Sequence, residues 1–564
     1  MSSQQLIECV PNFSEGVDMD IIKQITEAIE SVNEVKLLDV DPGKATNRTV
    51  VTFVGPPQAV VDAAFLAIQK ASKLIDMSQH KGEHPRMGAT DVCPLIPIAN
   101  ISMEETVVYA KKLSSRVGSE LDIPVYLYES AASTPERKNL ANIRSGEYEG
   151  FPKKIKQPQW KPDYGPTEFN VKAGATVIGA RDFLVAYNIN LNTTSVRRAN
   201  AIAFDIRENG RVKREGHPIT GKIVRDAEGN AERVPGLLKS VKAIGWYIEE
   251  YGIAQISMNL TDINTTSLHE AFVATESSAT KRGLRVTGSE LVGLVPKKVL
   301  IDAGNYFLKK QKRSAGISEE ETIKIAVKSL GLDELGPFDP KKKVIEYLLE
   351  DTSANPLIKM DLKQFADETA SESPAPGGGS IAAYVGSLGA SLATMVANLS
   401  AHKRGWDERW EEFSIAAQEG QALKDKLLYL VDKDTEAFNG IMSAIRMPKG
   451  SEEEKKARKV ALVHATKNAI EIPYQVMQTS FDCYNLINQM AEKGNPASVS
   501  DAGVGALCVH TAIHSAYLNV LINCADFSEK AYVHEMVSKA EALLAESETQ
   551  HKQIISKVEK MIKS

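Results

Sequence analysis

Near residue 360 the hydrophobic pattern of this chain changes period, and it does not change back. Upstream, short β-rich runs alternate with amphipathic stretches. Downstream, strand signal nearly vanishes and apolar residues recur at helical spacing. One layer architecture cannot accommodate both patterns. The expected fold is therefore multidomain: a two-lobed α/β half (α+β, near the ferredoxin-like plan) followed by an all-α helical bundle.

In the first part, Leu6–Phe13, Val35–Val40, Thr49–Val54, Val92–Ile98 and Val125–Tyr128 read as strands, and Met19–Val32, Pro57–Ile75 and Glu104–Leu121 as helices. Tyr148–Thr176 reads as irregular. A second α/β unit follows. Phe183–Leu191, Ala254–Leu260 and Leu284–Thr287 are expected strands, and Val196–Glu208, Leu237–Tyr251 and Thr266–Arg282 expected helices, a β-α-α-β-α-β order. Gly210–Pro235, with Glu228-Gly229-Asn230 as a turn signal, reads as a β-hairpin insertion. The helical part is expected as Met360–Thr369, Gly378–Ser400, Trp406–Asp432, Thr435–Arg446, Glu452–Met477, Phe481–Lys493, Ser500–Asn523 and Phe527 onward. The boundary falls in Glu350–Pro356, a polar segment ending in proline. The expected units are 1–180, 181–349, a linker at 350–357, and 358–564.

The chain has 564 residues and a net charge of −6, which does not give the basic footprint of a nucleic-acid binder. Five scattered cysteines form no CxxC pair, so neither a disulfide framework nor a zinc ribbon is expected. The N-terminus lacks a signal-peptide pattern, and Ser380–Leu399 is too polar for a confident membrane span and reads as a close-packed buried helix. A cytoplasmic protein is the expectation.

Four stretches could carry chemistry. The loop His80–Gly88 places His84 beside Glu83 and Arg86; a solvated basic loop, a metal pair at i,i+4 and a general-base histidine are the readings, with Gly82 and Pro85 arguing against the helix a metal pair would need. Asp39, Asp41, Asn47 and Arg48 cluster at a strand end and its turn, where α/β sites tend to lie. Gly377, Gly378, Gly379 and Ser380 open a long helix, a hinge or an anion-binding turn without Walker or dinucleotide character. Asp432 and Asp434 read either as helix-start acids or as a catalytic carboxylate. His510 and His514 read as packing residues.

Several long motifs occur together in order: Glu8 to Gly16, Thr46 to Thr49, His80 to Gly88 and on through Asp91 to Pro94, Arg144 to Tyr148, Gly174-Ala175, Gly288 to Pro296, and Ala375 to Ser380. In these motifs, over nearly its whole length, the chain resembles formimidoyltransferase-cyclodeaminases. That resemblance implies a bifunctional folate enzyme of histidine breakdown. It would move the formimino group of N-formimino-L-glutamate to tetrahydrofolate, then close the product to 5,10-methenyltetrahydrofolate with release of ammonia. It also implies that 1–180 and 181–349 are transferase subdomains and 358–564 the cyclodeaminase.

By the same resemblance, His84 is the transferase acid/base and Asp434 the cyclodeaminase carboxylate. The stretch Gly165, Pro166, Thr167, Glu168, Phe169, Asn170, Val171, Lys172, Ala173 and Gly174 binds folate. Two substrate carboxylates would need a cationic clamp, for which Arg48, Arg86 and Arg181 are candidates. Tetrahydrofolate, with or without a polyglutamate tail, is the co-substrate. No metal or redox cofactor, no nucleic acid and no membrane partner is expected, and the family implies a homo-oligomer. Two alternatives stand beside this reading: a transferase whose helical half is an oligomerisation scaffold, and a non-enzymatic folate-binding protein.

Overall fold

The computed structural model describes residues 5–44, 46–82, 85–217, 220–349 and 356–563. His84, Glu83, Pro218 and residues 350–355 of the expected linker lie outside them. The chain divides into two compact units, Met1–Asp302 with Leu330–Glu350, and Ala303–Ser329 with Asp351–Ser564.

The first unit opens with β1 (Leu6–Cys9), β2 (Asn12–Phe13), α1 (Met19–Glu30), β3 (Lys36–Gly43), β4 (Arg48–Gly55), α2 (Pro57–Leu74), β5 (Thr90–Ala99), α3 (Met103–Glu120), β6 (Val125–Glu129), α4 (Leu140–Arg144), α5 (Glu147–Lys154) and β7 (Thr176–Ala180). The expected strand Leu6–Phe13 is broken at Val10-Pro11, and its two halves share the place between β4 and β5. These pairings are antiparallel, whereas β5, β7 and β6 run parallel.

Helix starts follow local chemistry. Asp18 accepts from the Asp20 and Ile21 amides at the head of α1, and Ser102 forms a capping box with Glu105 at the head of α3. Cys93, Leu95, Leu127 and Ile178 pack in one core with residues of α2 and α3. Val92, Tyr126, Tyr128 and Val177 form another with Ile143 and Phe151. With both faces covered, β5 and β6 are apolar almost throughout, which is why they read clearly in the sequence; β7, which directly follows the stretch read as irregular, is a strand not expected from the sequence. Helix α5 starts at Glu147 and runs into Tyr148–Thr176, the stretch read as irregular; Pro152 within it masked the helical pattern.

The second lobe contains β8 (Val185–Leu191), α6 (Val196–Ile206), four short strands β9 (Arg211–Val212), β10 (Arg214–Glu215), β11 (Lys222–Ile223) and β12 (Arg233–Val234), then β13 (Val241–Ile248), β14 (Ile253–Leu260), α7 (Leu268–Thr280) and β15 (Val286–Val292). The order β13-β14-β8-β15, antiparallel throughout, with a β-α-β-β-α-β sequence, is the ferredoxin-like arrangement. The expected helix Leu237–Tyr251 is therefore a strand. Val241, Ala243 and Gly245 face α6, while Ile244, Trp246 and Tyr247 are exposed. Apolar side chains on both sides hid the alternation from a sequence reading. The inserted segment is hairpin-like, as expected, and forms two small sheets, β10-β11 and β9-β12. Helices α8 (Lys297–Lys310), α9 (Glu319–Leu330), α10 (Pro340–Lys343) and α11 (Ile345–Leu349) follow.

The helical unit is built from α12 (Leu362–Thr369), α13 (Gly378–Ala401), α14 (Trp410–Arg446), α15 (Glu452–Lys493), α16 (Val499–Cys524) and α17 (Lys530–Lys563). Two expected breaks are absent. Helix α14 runs straight through Asp432–Thr435, and α15 continues through Pro473 to Lys493. Helices α13 and α16 meet through small residues: a β-carbon on Gly389 would overlap Val509, and one on Gly386 would meet Ser480 and Ala512. The segment Ala303–Ser329 joins this unit, where the Ala315 amide donates to Ser414 Oγ at 3.0 Å and Asn398 donates to the Gly316 carbonyl at 2.8 Å.

Candidate active sites

In the first unit, a cleft of about 620 Å³ draws on both lobes. Pro85, Tyr128, Glu129, Arg144 and Arg181 line it from one side, and Ser240, Lys242, Asn259 and Thr261 from the other. Lys242 stands opposite Asn259 in the β13–β14 register. On the same sheet face a hydrogen-bond chain runs from Trp246 Nε1 to Gln255 (3.2 Å), from Gln255 to Asn190 (2.7 Å) and from Asn190 to Glu334 (2.6 Å). Asn190 and Gln255 are fully buried, so this chain orders the polar face that carries Lys242.

Arg144 ends α4 and forms an ion pair with Asp91, which is 1% exposed and also accepts the Met87 amide at 2.9 Å. Lys154 holds that helix end in place, donating to the carbonyls of Asn142, Ile143 and Ser145 at 2.7, 2.7 and 2.8 Å. Burial lowers the Lys154 ammonium to about 8. Arg48 lies in the same electrostatic neighbourhood. Burial, aided by the Arg144 charge, lowers it to about 10, against the attraction of Asp91 and Asp41. Arg181 reaches Glu8 and Tyr128. Glu8 is buried in β1, its Oε2 has no hydrogen-bond partner among the described residues, and burial pushes it from 4.5 to about 7 despite Arg181. Burial likewise raises Tyr128 to about 12.

The other candidates divide. Arg86 is fully engaged: its guanidinium donates to Glu149 at 2.8 and 3.1 Å, to Glu147 at 3.2 Å and to His80 Nδ1 at 3.2 Å. It braces the loop and has little left for a substrate carboxylate. Asp39 sits half-buried on edge strand β3; burial raises it, and its charged neighbours are Lys343 and Asp41 rather than the cleft arginines.

Asn47, in a left-handed conformation (φ 45°), ties the His80–Gly88 segment down. It donates to the Lys81 carbonyl at 2.8 Å and accepts the Gly16 amide at 3.0 Å, while its own carbonyl contacts His80 Nε2 at 2.9 Å. The Gly165–Gly174 stretch packs against this same segment. Met77 N donates to the Lys172 carbonyl and Ala89 N to the Ala173 carbonyl, each at 2.9 Å, and Gly88 bridges Gly174. Gly174 has φ 70°, and a β-carbon there would overlap the Met87 carbonyl. Phe169 packs between Tyr148 (5.3 Å, tilted) and Phe151 (5.8 Å, edge-on), and Asn170 accepts from the Ala173 amide at 2.9 Å.

In the helical unit, the N-terminus of α13 has Gly377 at its cap position, which offers no side-chain acceptor. Asp434 from the middle of α14 supplies one: it accepts from Ser380 Oγ at 3.1 Å and from the Ser380 backbone. Burial raises the Asp434 carboxyl, against these hydrogen bonds. Ser380 Oγ also reaches the Val431 carbonyl at 2.9 Å and Thr435 Oγ1 at 3.3 Å. A β-carbon on Gly378 would meet the Asn519 amide at 3.3 Å, while Gly377 has open space beside it. Asp432 does different work, accepting the Leu357 amide at 2.7 Å and so anchoring the chain before α12. One turn below Asp434, from Ala437, opens an apolar groove of about 960 Å³ between α14 and α15, bordered by Met447, Val460 and His464.

Glu8, Asp91, Tyr128, Arg144, Lys242 and Asn259 are not among the site residues expected from the sequence. Glu8, Asp91 and Arg144 did stand in the quoted motifs. Lys242 was hidden by the helix reading of its strand.

Three family models match in order: the formiminotransferase domain, N-terminal subdomain, over residues 6–181; the formiminotransferase domain over 186–350; and formiminotransferase-cyclodeaminase over 361–542. The mouse formimidoyltransferase-cyclodeaminase is 43% identical over 98% of this chain and 99% of its own length. A glutamate formimidoyltransferase of Thermoplasma acidophilum is 44% identical over 54% of this chain and 92% of its own. A methenyltetrahydrofolate cyclohydrolase of Methylorubrum extorquens is 33% identical over 36% of this chain and 97% of its own.

Proposed function

The chain belongs to the formimidoyltransferase-cyclodeaminase family and is a bifunctional folate enzyme, and on that premise we propose which of its residues carry the two reactions. In the first, N5 of tetrahydrofolate attacks the formimino carbon of N-formimino-L-glutamate. The new C–N bond forms, the bond to the glutamate nitrogen breaks, and glutamate leaves. His84 takes the proton from N5 and returns it to the departing nitrogen. Arg144, Arg181 and Lys242 bind the two carboxylates, and Glu129 faces the cationic amidine. Arg86 acts through the loop it braces, and the Gly165–Gly174 stretch holds the folate.

In the second reaction, N10 attacks the formimino carbon and ammonia leaves, producing the methenyl cation. Asp434 complements the developing positive charge and protonates the departing ammonia. Burial raises this carboxyl, which favours its holding a proton relative to an exposed aspartate. Glycines 378 and 379 leave room for backbone amides beside it.

The observation that carries this reading is the cleft lining, where three cationic side chains from two lobes converge on a space sized for a small dicarboxylate. Supplying tetrahydrofolate and formiminoglutamate should yield methenyltetrahydrofolate, glutamate and ammonia. A folded protein yielding none of them contradicts it.

The pathway is histidine breakdown and the compartment the cytoplasm. The partner is a second copy of the chain. In support, Leu388, Met395 and Leu399 of α13 and Val504, Leu507, Leu518 and Ile522 of α16 are all exposed on helices long and apolar enough to cross a membrane. Sedimentation of the purified protein tests this: an oligomer supports it and a monomer at micromolar concentration refutes it.

A further inference from the structure

On the far side of the second lobe's sheet, against α6, lies a groove of about 700 Å³ that neither reaction uses. Seven arginines line it: Arg197, Arg198, Arg207, Arg211, Arg214, Arg233 and Arg282. Among the described residues no acidic side chain lines it. Helix α6 covers the sheet face formed by Val241, Ala243 and Gly245, whereas Lys242 projects from the opposite face into the cleft. The groove is thus separate from the substrate site.

Neutralisation is incomplete. Asp205 pairs with Arg211 and Arg282. The other bonds of these guanidiniums among the described residues go to uncharged groups: Arg282 to the Ser278 hydroxyl and carbonyl, and the rest to backbone carbonyls, Arg211 to Ala201, Arg207 to Gly210 and Ala243, Arg198 to Arg282, Arg214 to Gly221 and Arg233 to Asn209. A carbonyl dipole orients a guanidinium without cancelling its charge. Arg207 is further depressed by burial and by the Arg233 charge, so these cations repel one another. In a chain of net charge −6, a concavity this positive needs a counter-charge. Arg211, Arg214 and Arg233 come from the inserted hairpins, so the insertion completes the site.

We infer that this groove binds a small molecule carrying a condensed phosphate chain, either inorganic or as part of a nucleotide. Guanidinium forks match phosphate oxygens two at a time, and several in one pocket call for several negative charges close together. A glutamate oligomer carries the same sign of charge but spreads its carboxylates along a flexible chain. A nucleic acid would need a basic surface beyond this one pocket.

Calorimetry of the full-length protein with tripolyphosphate, ATP and free triglutamate tests the inference. Tripolyphosphate should bind, weaken as salt rises, and bind at least tenfold more tightly than triglutamate. ATP binding more tightly than tripolyphosphate identifies a nucleotide site; equal binding identifies a site for the phosphate chain alone. The double variant Arg214→Ser/Arg233→Ser should lose at least tenfold in affinity, with turnover of formiminoglutamate unchanged. Arg197→Ser, an exposed change at the start of α6, should weaken binding in the same direction and serves if the double variant fails to fold. Absence of tripolyphosphate binding, tighter triglutamate binding, or full affinity in folded variants overturns the inference.

Discussion

The carboxylate of Asp434 occupies the space a side chain on Gly379 would need: a β-carbon built there overlaps Oδ1. The first turn of α13 and the middle of α14 are thereby locked together at one carboxyl group. Gly379→Ala must displace Asp434, and a shift of about 1 Å at a reacting group can cost on the order of a hundredfold in rate. Cyclisation of supplied 5-formiminotetrahydrofolate should fall by about that factor while formimino transfer is retained. Parallel assays of the two steps check it.

Lys242 offers a cleaner test of the cleft because it is exposed and its side chain makes no hydrogen bond or ion pair among the described residues. Lys242→Met should raise the KM for formiminoglutamate roughly tenfold, the loss expected from one charge-assisted hydrogen bond. The kcat should change little, since the contact is made equally in ground and transition states. Steady-state kinetics at saturating tetrahydrofolate separates the two effects.

Glu8 sets a pH dependence with a definite sign. Its carboxyl is raised from 4.5 to about 7 in the folded chain. Between those values the folded state holds a proton that the unfolded state has released, so stability falls as pH rises from about 4.5 to about 7 and then levels off. The full effect is about 3 kcal/mol. Glu8→Gln should remove it. Denaturation midpoints of the two proteins should therefore diverge across that window, with the variant relatively more stable at pH 8 than at pH 5.

Much of this was legible in the sequence because strong periodicity survives without tertiary context. The strands β5 and β6, the division near residue 360 and the helical character of everything beyond it declare themselves by pattern, whereas β7 was not expected. What was not legible has a common cause. On β13 the outward side carries Ile244 and Trp246, so alternation was lost, and with it the register that sets Lys242 opposite Asn259. In α14, Asp432 and Asp434 look like a helix start because acids cluster there. Only tertiary contact distinguishes them, Asp432 holding Leu357 and Asp434 facing Ser380. Arg86 and Arg144 have equal credentials as sequence; Glu147 and Glu149 occupy the first, while the second, paired with Asp91, lines the cleft.

Two chemically distinct sites on one chain are proposed to carry the two reactions. A crossed assay of His84→Ala and Asp434→Asn, with each step supplied its own substrate, separates them. His84→Ala should abolish glutamate release yet still convert supplied 5-formiminotetrahydrofolate to the methenyl product, and Asp434→Asn should do the reverse, accumulating 5-formiminotetrahydrofolate without releasing ammonia. Loss of both steps in either folded variant, or of neither, would contradict the two-site proposal.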